Sequence, residues 1–209
     1  MVSIRVDSRQ PDGGQVARAA AVVRAGGIVA YPTDTLYGLA ADPASPGAIG
    51  QLYRIKGRQV DQAIPLIASG IEQVEGCAGR LEPVARRLAE RFWPGPLSLV
   101  IHAWAGLDGA VHAGLETVAV RVPAHAVARA LADACGWPIT STSANPSGHP
   151  ATALPDVVCA ALEGRVDAIL DGGPAPGGPA STIVDTTGTT IRLVRAGAVP
   201  WEHVLECLA

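Results

Sequence analysis

The chain has 209 residues, 48% of them hydrophobic and 17% charged, with a formal net charge of −3. That balance supports one compact domain burying roughly 70% of its unfolded surface, and it excludes wholesale disorder. The slight acidity and an aromatic content of 4% argue against a general nucleic-acid surface or a base-stacking platform, so any anion site has to be local.

The opening MVSIRVDSRQPDGG lacks the apolar stretch of a secretion signal, and no apolar run approaches the roughly 18 residues of a membrane span. A cytoplasmic location with reduced thiols is expected. Cys77, Cys135, Cys159 and Cys207 form no C-x-x-C pair, and His102, His112, His125, His149 and His203 show no metal-ligand spacing, so no resident metal is expected.

Taken in chain order, Val16, Ala19, Ala20 and Val23 recur at helical spacing over 15–25, and Gly26-Gly27 supplies the stop. A short apolar strand over 27–31 ends at Pro32. Ser45-Pro46 fits an N-cap followed by proline at the first helical position, predicting a helix that closes near Lys56-Gly57. A strand over 63–68 and a helix over 83–92 follow, then strands over 97–102 and 117–122. A helix over 124–135 is stopped by Gly136 before a short strand over 139–141. The remaining expectations are a helix over 155–162, strands over 167–170, 182–185 and 190–194, and a terminal helix from about Pro200. No repeat or linker divides the chain, so 1–209 reads as a single domain with a core over about 13–200. Early alternation of helix and strand followed by clustered strands predicts an α/β class: a twisted mixed β-sheet with packed helices.

Four polar clusters fall at the ends of these elements, where open α/β sheets place their ligands. In Pro32-Thr33-Asp34-Thr35-Leu36-Tyr37-Gly38-Leu39, extended backbone points Thr33 and Thr35 to one side and Asp34 to the other while Pro32 and Gly38 shape the turn; the segment also reads as an ordinary threonine-rich turn. Lys56-Gly57-Arg58 offers a point charge and a planar fork suited to phosphate oxygens, without the glycine-rich run of a Walker A loop, or else a solvated basic helix end. Ser141-Thr142-Ser143-Ala144-Asn145-Pro146-Ser147-Gly148 offers hydroxyls, an amide and backbone N–H groups for an anion or sugar, or a plain Ser/Asn turn. Arg121 lies in an otherwise apolar strand and wants an anionic ligand or a carboxylate; Ser181, Arg192 and Arg195 complete the fourth cluster. His125 reads as a helix N-terminal residue. There is no G-x-S-x-G, H-E-x-x-H or G-x-G-x-x-G. The residues alone thus point to a cationic, hydroxyl-rich pocket for a phosphorylated ligand and a small polar one.

Taken together and in this order, GIVAYPTDTLYGL at 27–39, LYRIKGRQVD at 52–61, WPGPL at 93–97, VAVRVPAH at 118–125, STSANPSG at 141–148, DGG at 171–173, STIV at 181–184 and RLVRAG at 192–197 give the chain its family likeness. It resembles the YrdC-like threonylcarbamoyl-adenylate synthases in their short form, without an appended C-terminal domain. The resemblance implies a nucleotidyltransferase making threonylcarbamoyl-AMP and pyrophosphate from L-threonine, bicarbonate and ATP, with Mg2+ accompanying the ATP, for threonylcarbamoyladenosine (t6A) modification of tRNA. It implies downstream tRNA threonylcarbamoyl-transfer proteins as partners and leaves direct tRNA contact open. Its K-x-R and S-x-N motifs fall on Lys56 and Arg58, with catalytic and nucleotide-binding roles, and on Ser143 and Asn145. Threonine contacts fall on Thr35, Arg121, Ser141 and Ser181, and further nucleotide contacts on Thr117 and Arg195. Three residues depart from the family pattern: Gln59 replaces a proline, Ile67 stands near a histidine of longer members, and Ser98 replaces a common threonine. The alternatives are an RNA-binding or ribosome-associated module of the same fold, and a carbamoyl-adenylating domain like those in hydrogenase-maturation proteins.

Overall fold

The computed structural model describes residues 1–57 and 62–209. Its helices start and stop where the local chemistry dictates. Asp12 accepts a hydrogen bond from the Gln15 amide at 2.9 Å and opens α1 (Gly13–Arg24), whose buried stripe is Val16, Ala19, Ala20 and Val23. Ser45 caps α2 (Pro46–Lys56), and Gly57 closes it in the left-handed region at φ 62°. Gly136 closes α6 (Ala126–Cys135) in the same region, at φ 89°.

Among the described residues the strands form two mixed sheets rather than the single expected one. The first comprises β1 (Val2–Arg5), β9 (Ala168–Asp171), β2 (Val29–Pro32), β3 (Tyr37–Ala40) and β8 (Thr142–Ser143), in that order. The second runs β11 (Arg192–Arg195), β10 (Thr182–Asp185), β5 (Leu97–His102), β6 (Thr117–Arg121), β4 (Leu66–Ile67) and β7 (Ile139–Thr140). The turn read at 37–39 is therefore the strand β3, and the Ser/Asn turn contains β8. Neither β1 nor the helices α3 (Ile71–Ala78) and α5 (Gly109–His112) was foreseen, whereas α4 (Pro83–Phe92), α7 (Pro155–Leu162), β5 and β10 fall on their expected bounds. The C-terminal helix α8 (Trp201–Leu208) packs on α4.

Strand alternation decides which face is which. In the first sheet Val29, Tyr31, Ala40, Ala168 and Leu170 pack under α1 and α6, while Ala30, Leu39 and Ile169 face a larger core. That larger core is shared with Leu97, Leu99, Ile101, Val118, Val120 and Val184 of the second sheet. The opposite face of the second sheet, carrying Ser98, Val100, Thr117, Ala119, Arg121, Ile183 and Asp185, is left to line a cleft.

The sheets are joined at one residue, because Ser141 alone separates β7 from β8. Thr140, with 0% exposure, stitches the seam: its hydroxyl donates to Leu39 O and accepts from the Ala41 amide, both at 2.8 Å, and its carbonyl accepts from the Tyr31 hydroxyl at 3.1 Å. Thr140→Val keeps the shape but strands a buried N–H and a buried carbonyl, so it is expected to cost about 2–3 kcal/mol. A lowered urea midpoint at unchanged m-value would register this; an unchanged midpoint contradicts the stitching role.

Candidate active site

The seam opens into a cleft of about 690 Å³, within the ordinary range for small-molecule sites. Thr33, Thr35 and Tyr37 from the β2–β3 connection and its edge form one wall, together with Ser141, Thr142 and Ser143. The open face of the second sheet forms the floor, with Ser181, Arg192 and Arg195 at its far edge. Of the sequence-derived residues, Thr35, Thr117, Arg121, Ser141, Ser143, Ser181 and Arg195 all line this one cleft. Lys56 and Asn145 sit behind it, bonded to the Ser143 turn. Arg58 lies outside the described residues, as does Gln59. A second, shallower groove of similar volume between α3 and α6, lined by Gly70, Glu72, Gln73, Arg129 and Asp133, receives none of the candidates.

Lys56 is the last residue of α2 and is only 4% exposed. Its ammonium bonds to Ser143 O at 2.8 Å, Ser143 Oγ at 3.2 Å, Asn145 O at 2.7 Å and Asn145 Oδ1 at 2.9 Å. An ammonium has three N–H donors, so contact with a further anion requires it to exchange one of these oxygens. Lys56 and the S-x-N motif, 87 to 89 residues apart in sequence, are thus bonded into one unit.

Arg121, 7% exposed, finds a carboxylate: its Nη1 donates to Asp34 Oδ1 at 2.6 Å, and Asp34 Oδ2 accepts from the Ala124 amide at 3.2 Å. Residues 34–36 form a bend closed on Thr33 rather than the expected extended backbone; Thr33 and Thr35 line the cleft, and Asp34, outside its lining, orients the guanidinium. The fork has five donors and this bond uses one, so a cation lining the cleft is left with capacity for a second anion. Thr33 and Thr35 share a hydroxyl contact at 3.1 Å, and Thr33 Oγ1 donates to Leu36 O at 2.7 Å, which fixes this wall.

At the far edge Ser181 Oγ lies 3.0 Å from Ser98 Oγ, and Arg195 Nη2 donates to Ser181 O at 2.8 Å and to its Oγ at 3.1 Å. Partial burial, and then the like charge of Arg121, pull the Arg195 guanidinium below its ordinary value, as expected for two cations facing one space. Arg192 is 76% exposed and pairs with Asp185 at 2.8 Å, the structural salt bridge. Burial opposes ionisation of that carboxyl, but bonds from the Thr187 hydroxyl and amide and from Arg192 outweigh it and hold it below the usual carboxylate range. Sequence reasoning named Ser98 only as a departure from the family pattern, not as a cleft residue, and did not pair Asp34 with Arg121. The signal was present in LSLVI and TVAVR, whose apolar positions alternate with Ser98 and with Thr117, Ala119 and Arg121, marking one face as non-core.

His125 is the N-cap residue of α6, as read from the sequence, and is buried with Nδ1 unpartnered. Burial holds its imidazole below the ordinary value near 6.5, with Asp34 opposing and Arg129 adding to the effect. The unfolded chain then binds a proton that the folded one refuses, so this stabilisation is complete above pH 6.5 and is lost as pH falls through the folded value. Between pH 7.5 and 5, denaturation midpoints of the wild type are expected to fall more than those of His125→Gln; parallel curves would show that the imidazole does not contribute.

The fold and cleft define a two-sheet α/β protein with a cleft lined by Arg121, Arg192 and Arg195 and by several hydroxyls. A family model for Sua5, YciO and YrdC proteins, described as telomere recombination, matches residues 21–197. The threonylcarbamoyl-AMP synthase of Bacillus subtilis (strain 168) is 38% identical over 199 residues, covering 95% of this chain and 58% of that protein. That of Thiobacillus denitrificans (strain ATCC 25259 / T1) is 38% identical over 173 residues, 82% of this chain and 92% of that protein. The crystal structure of P. abyssi Sua5 complexed with L-threonine matches with a TM-score of 0.93 at 35% identity, over 100% of this chain and 61% of that one. The chain belongs to the Sua5/YciO/YrdC family. It spans less than two thirds of the Bacillus and Pyrococcus proteins.

Proposed function

We propose that this protein is an L-threonylcarbamoyl-adenylate synthase. The observation that carries the reading is the convergence, in one cleft, of Arg121 with Thr35, Ser141 and Ser181 beside Ser143, Thr117 and Arg195. The first group suits an amino acid: a carboxylate on the spare donors of Arg121 and hydroxyls for its polar atoms. The second suits a nucleotide, and the synthase names and the threonine-bound Sua5 relative support the pairing.

The chemistry asks little of the protein beyond placement. Threonine amine and bicarbonate give a carbamate and water; a carbamate oxygen then attacks the α-phosphorus, the bond to the β-bridging oxygen breaks, and pyrophosphate leaves. No side chain needs to become a nucleophile, so alignment and charge stabilisation supply the rate. Arg195 meets the phosphates, the family's K-x-R motif assigns Arg58 to them as well, and Lys56 sets the S-x-N turn whose Ser143 faces them. Among the described residues no group of three or more metal-ligating side chains occurs, and Asp185 lines the cleft. A Mg2+ arriving on ATP would take most of its ligands from phosphate and water and would neutralise the triphosphate. The adenylate would pass to tRNA threonylcarbamoyl-transfer proteins in the cytoplasm; no helix of the described residues is long and apolar enough to cross a membrane.

The test is direct. Purified protein with ATP, Mg2+ and labelled threonine should release pyrophosphate only when bicarbonate and threonine are both present. Salt-sensitive RNA binding without that dependence would transfer the cleft to an RNA-binding role.

A further inference from the structure

Ser181 and Arg195 are not held by the strand ladder alone. Beyond β11 the chain lies as a strap along residues 180–182, joined by three further bonds. The Ala198 amide donates to Ala180 O at 2.9 Å. The Thr182 hydroxyl donates to Val199 O at 2.6 Å and accepts from the Val199 amide at 3.0 Å, standing in for a strand partner, while the Thr182 amide is held by Pro96 O at 3.0 Å. Thr182 is completely buried. Within the strap, Gly197 packs backbone against backbone. A methyl group there would lie 2.5 Å from the Ser181 carbonyl carbon, 2.6 Å from its oxygen and closer still to Ala180 O. Those atoms are main chain and cannot swing aside as a side chain would. The same Ser181 carbonyl receives the Arg195 guanidinium, at 3.2 Å from Nε and 2.8 Å from Nη2.

We infer that Gly197 and Thr182 are positioning residues, acting through Ser181 and Arg195 to set the amino-acid side of the cleft against its nucleotide side. Because one peptide group carries the Ser181 hydroxyl into the cleft and anchors Arg195, a displacement of 180–181 moves both contacts together. This rests on the functional reading above, in which Ser181 meets threonine and Arg195 meets the nucleotide.

The experiment measures L-threonine binding by calorimetry and the KM values for threonine and ATP in wild type, Gly197→Ala, Thr182→Val and Thr182→Ser. Gly197→Ala and Thr182→Val are expected to weaken threonine binding tenfold or more, with KM for ATP raised in parallel, and Thr182→Ser, which keeps the hydroxyl, to restore both. Thr182→Val carries the test should Gly197→Ala not fold. A purely structural strap would lower the melting temperature of both variants while leaving the affinities of their folded fraction at wild-type values, and that result overturns the inference alone. A wild type that binds no threonine overturns the functional reading first, and the strap inference falls with it.

Discussion

Lys56→Met is expected to abolish pyrophosphate release, by about 10³-fold or more, and to lower stability by about 3 kcal/mol. The side chain length is kept and only the charge goes, so the effect isolates the ammonium. Four oxygens of Ser143 and Asn145 lie within 3.2 Å of it, in a site 4% exposed. Without the cation these oxygens face one another in a poorly solvated space, where each unsatisfied group costs about 1–3 kcal/mol until the turn relaxes outward. Relaxation withdraws Ser143 from the cleft wall, which is why turnover falls further than stability. Arg58→Ala is expected to reduce turnover on the same scale. Arg192→Ala makes the contrast: its partner Asp185 keeps the Thr187 amide and hydroxyl and has solvent to turn to, and an exposed pair contributes under about 1 kcal/mol, so turnover should change only a few-fold. A pyrophosphate-release assay compares the three; equal losses would remove the distinction between buried and peripheral cations.

Arg121→Ala is expected to weaken threonine binding about 100-fold or more and to cost about 3–5 kcal/mol of stability, because it strands the Asp34 carboxylate. The two consequences separate in a second variant. Replacing Arg121 with Met and Asp34 with Leu removes both charges, so stability should largely return while threonine binding does not. Calorimetry with L-threonine and urea denaturation supply the two readouts. Recovery of binding in the double variant would mean that the arginine serves the ion pair alone.

The elements that were legible in the sequence are those with punctuation: Ser45-Pro46, Gly57 and Gly136 mark helix ends that the backbone conformations bear out, whereas the Asp12 cap, which opens α1 two residues before its expected start, was not read. The missed ones lack it. Helix α3 has Gly70 at its N-cap with no side-chain bond and buries only Val74, α5 is four residues long, and β8 is two. Division into two sheets was not legible because nothing local distinguishes Ser141 from a strand residue; the switch is made by Thr140 bonding to both neighbours. The site was better signalled than the topology. Its residues were identified as types needing partners, and Arg121 did need one, but which carboxylate answers it depends on a contact across 87 positions that no spacing rule contains.

The placement of the cleft at the Ser141 seam gives ligands a mechanical role. Its walls belong to different sheets, which share the larger apolar core while the first sheet also packs under α1 and α6. A molecule occupying it is a cross-brace, so saturation with substrate should move the unfolding transition to higher temperature, the stabilisation being about 2.7 kcal/mol at a hundredfold excess over the dissociation constant.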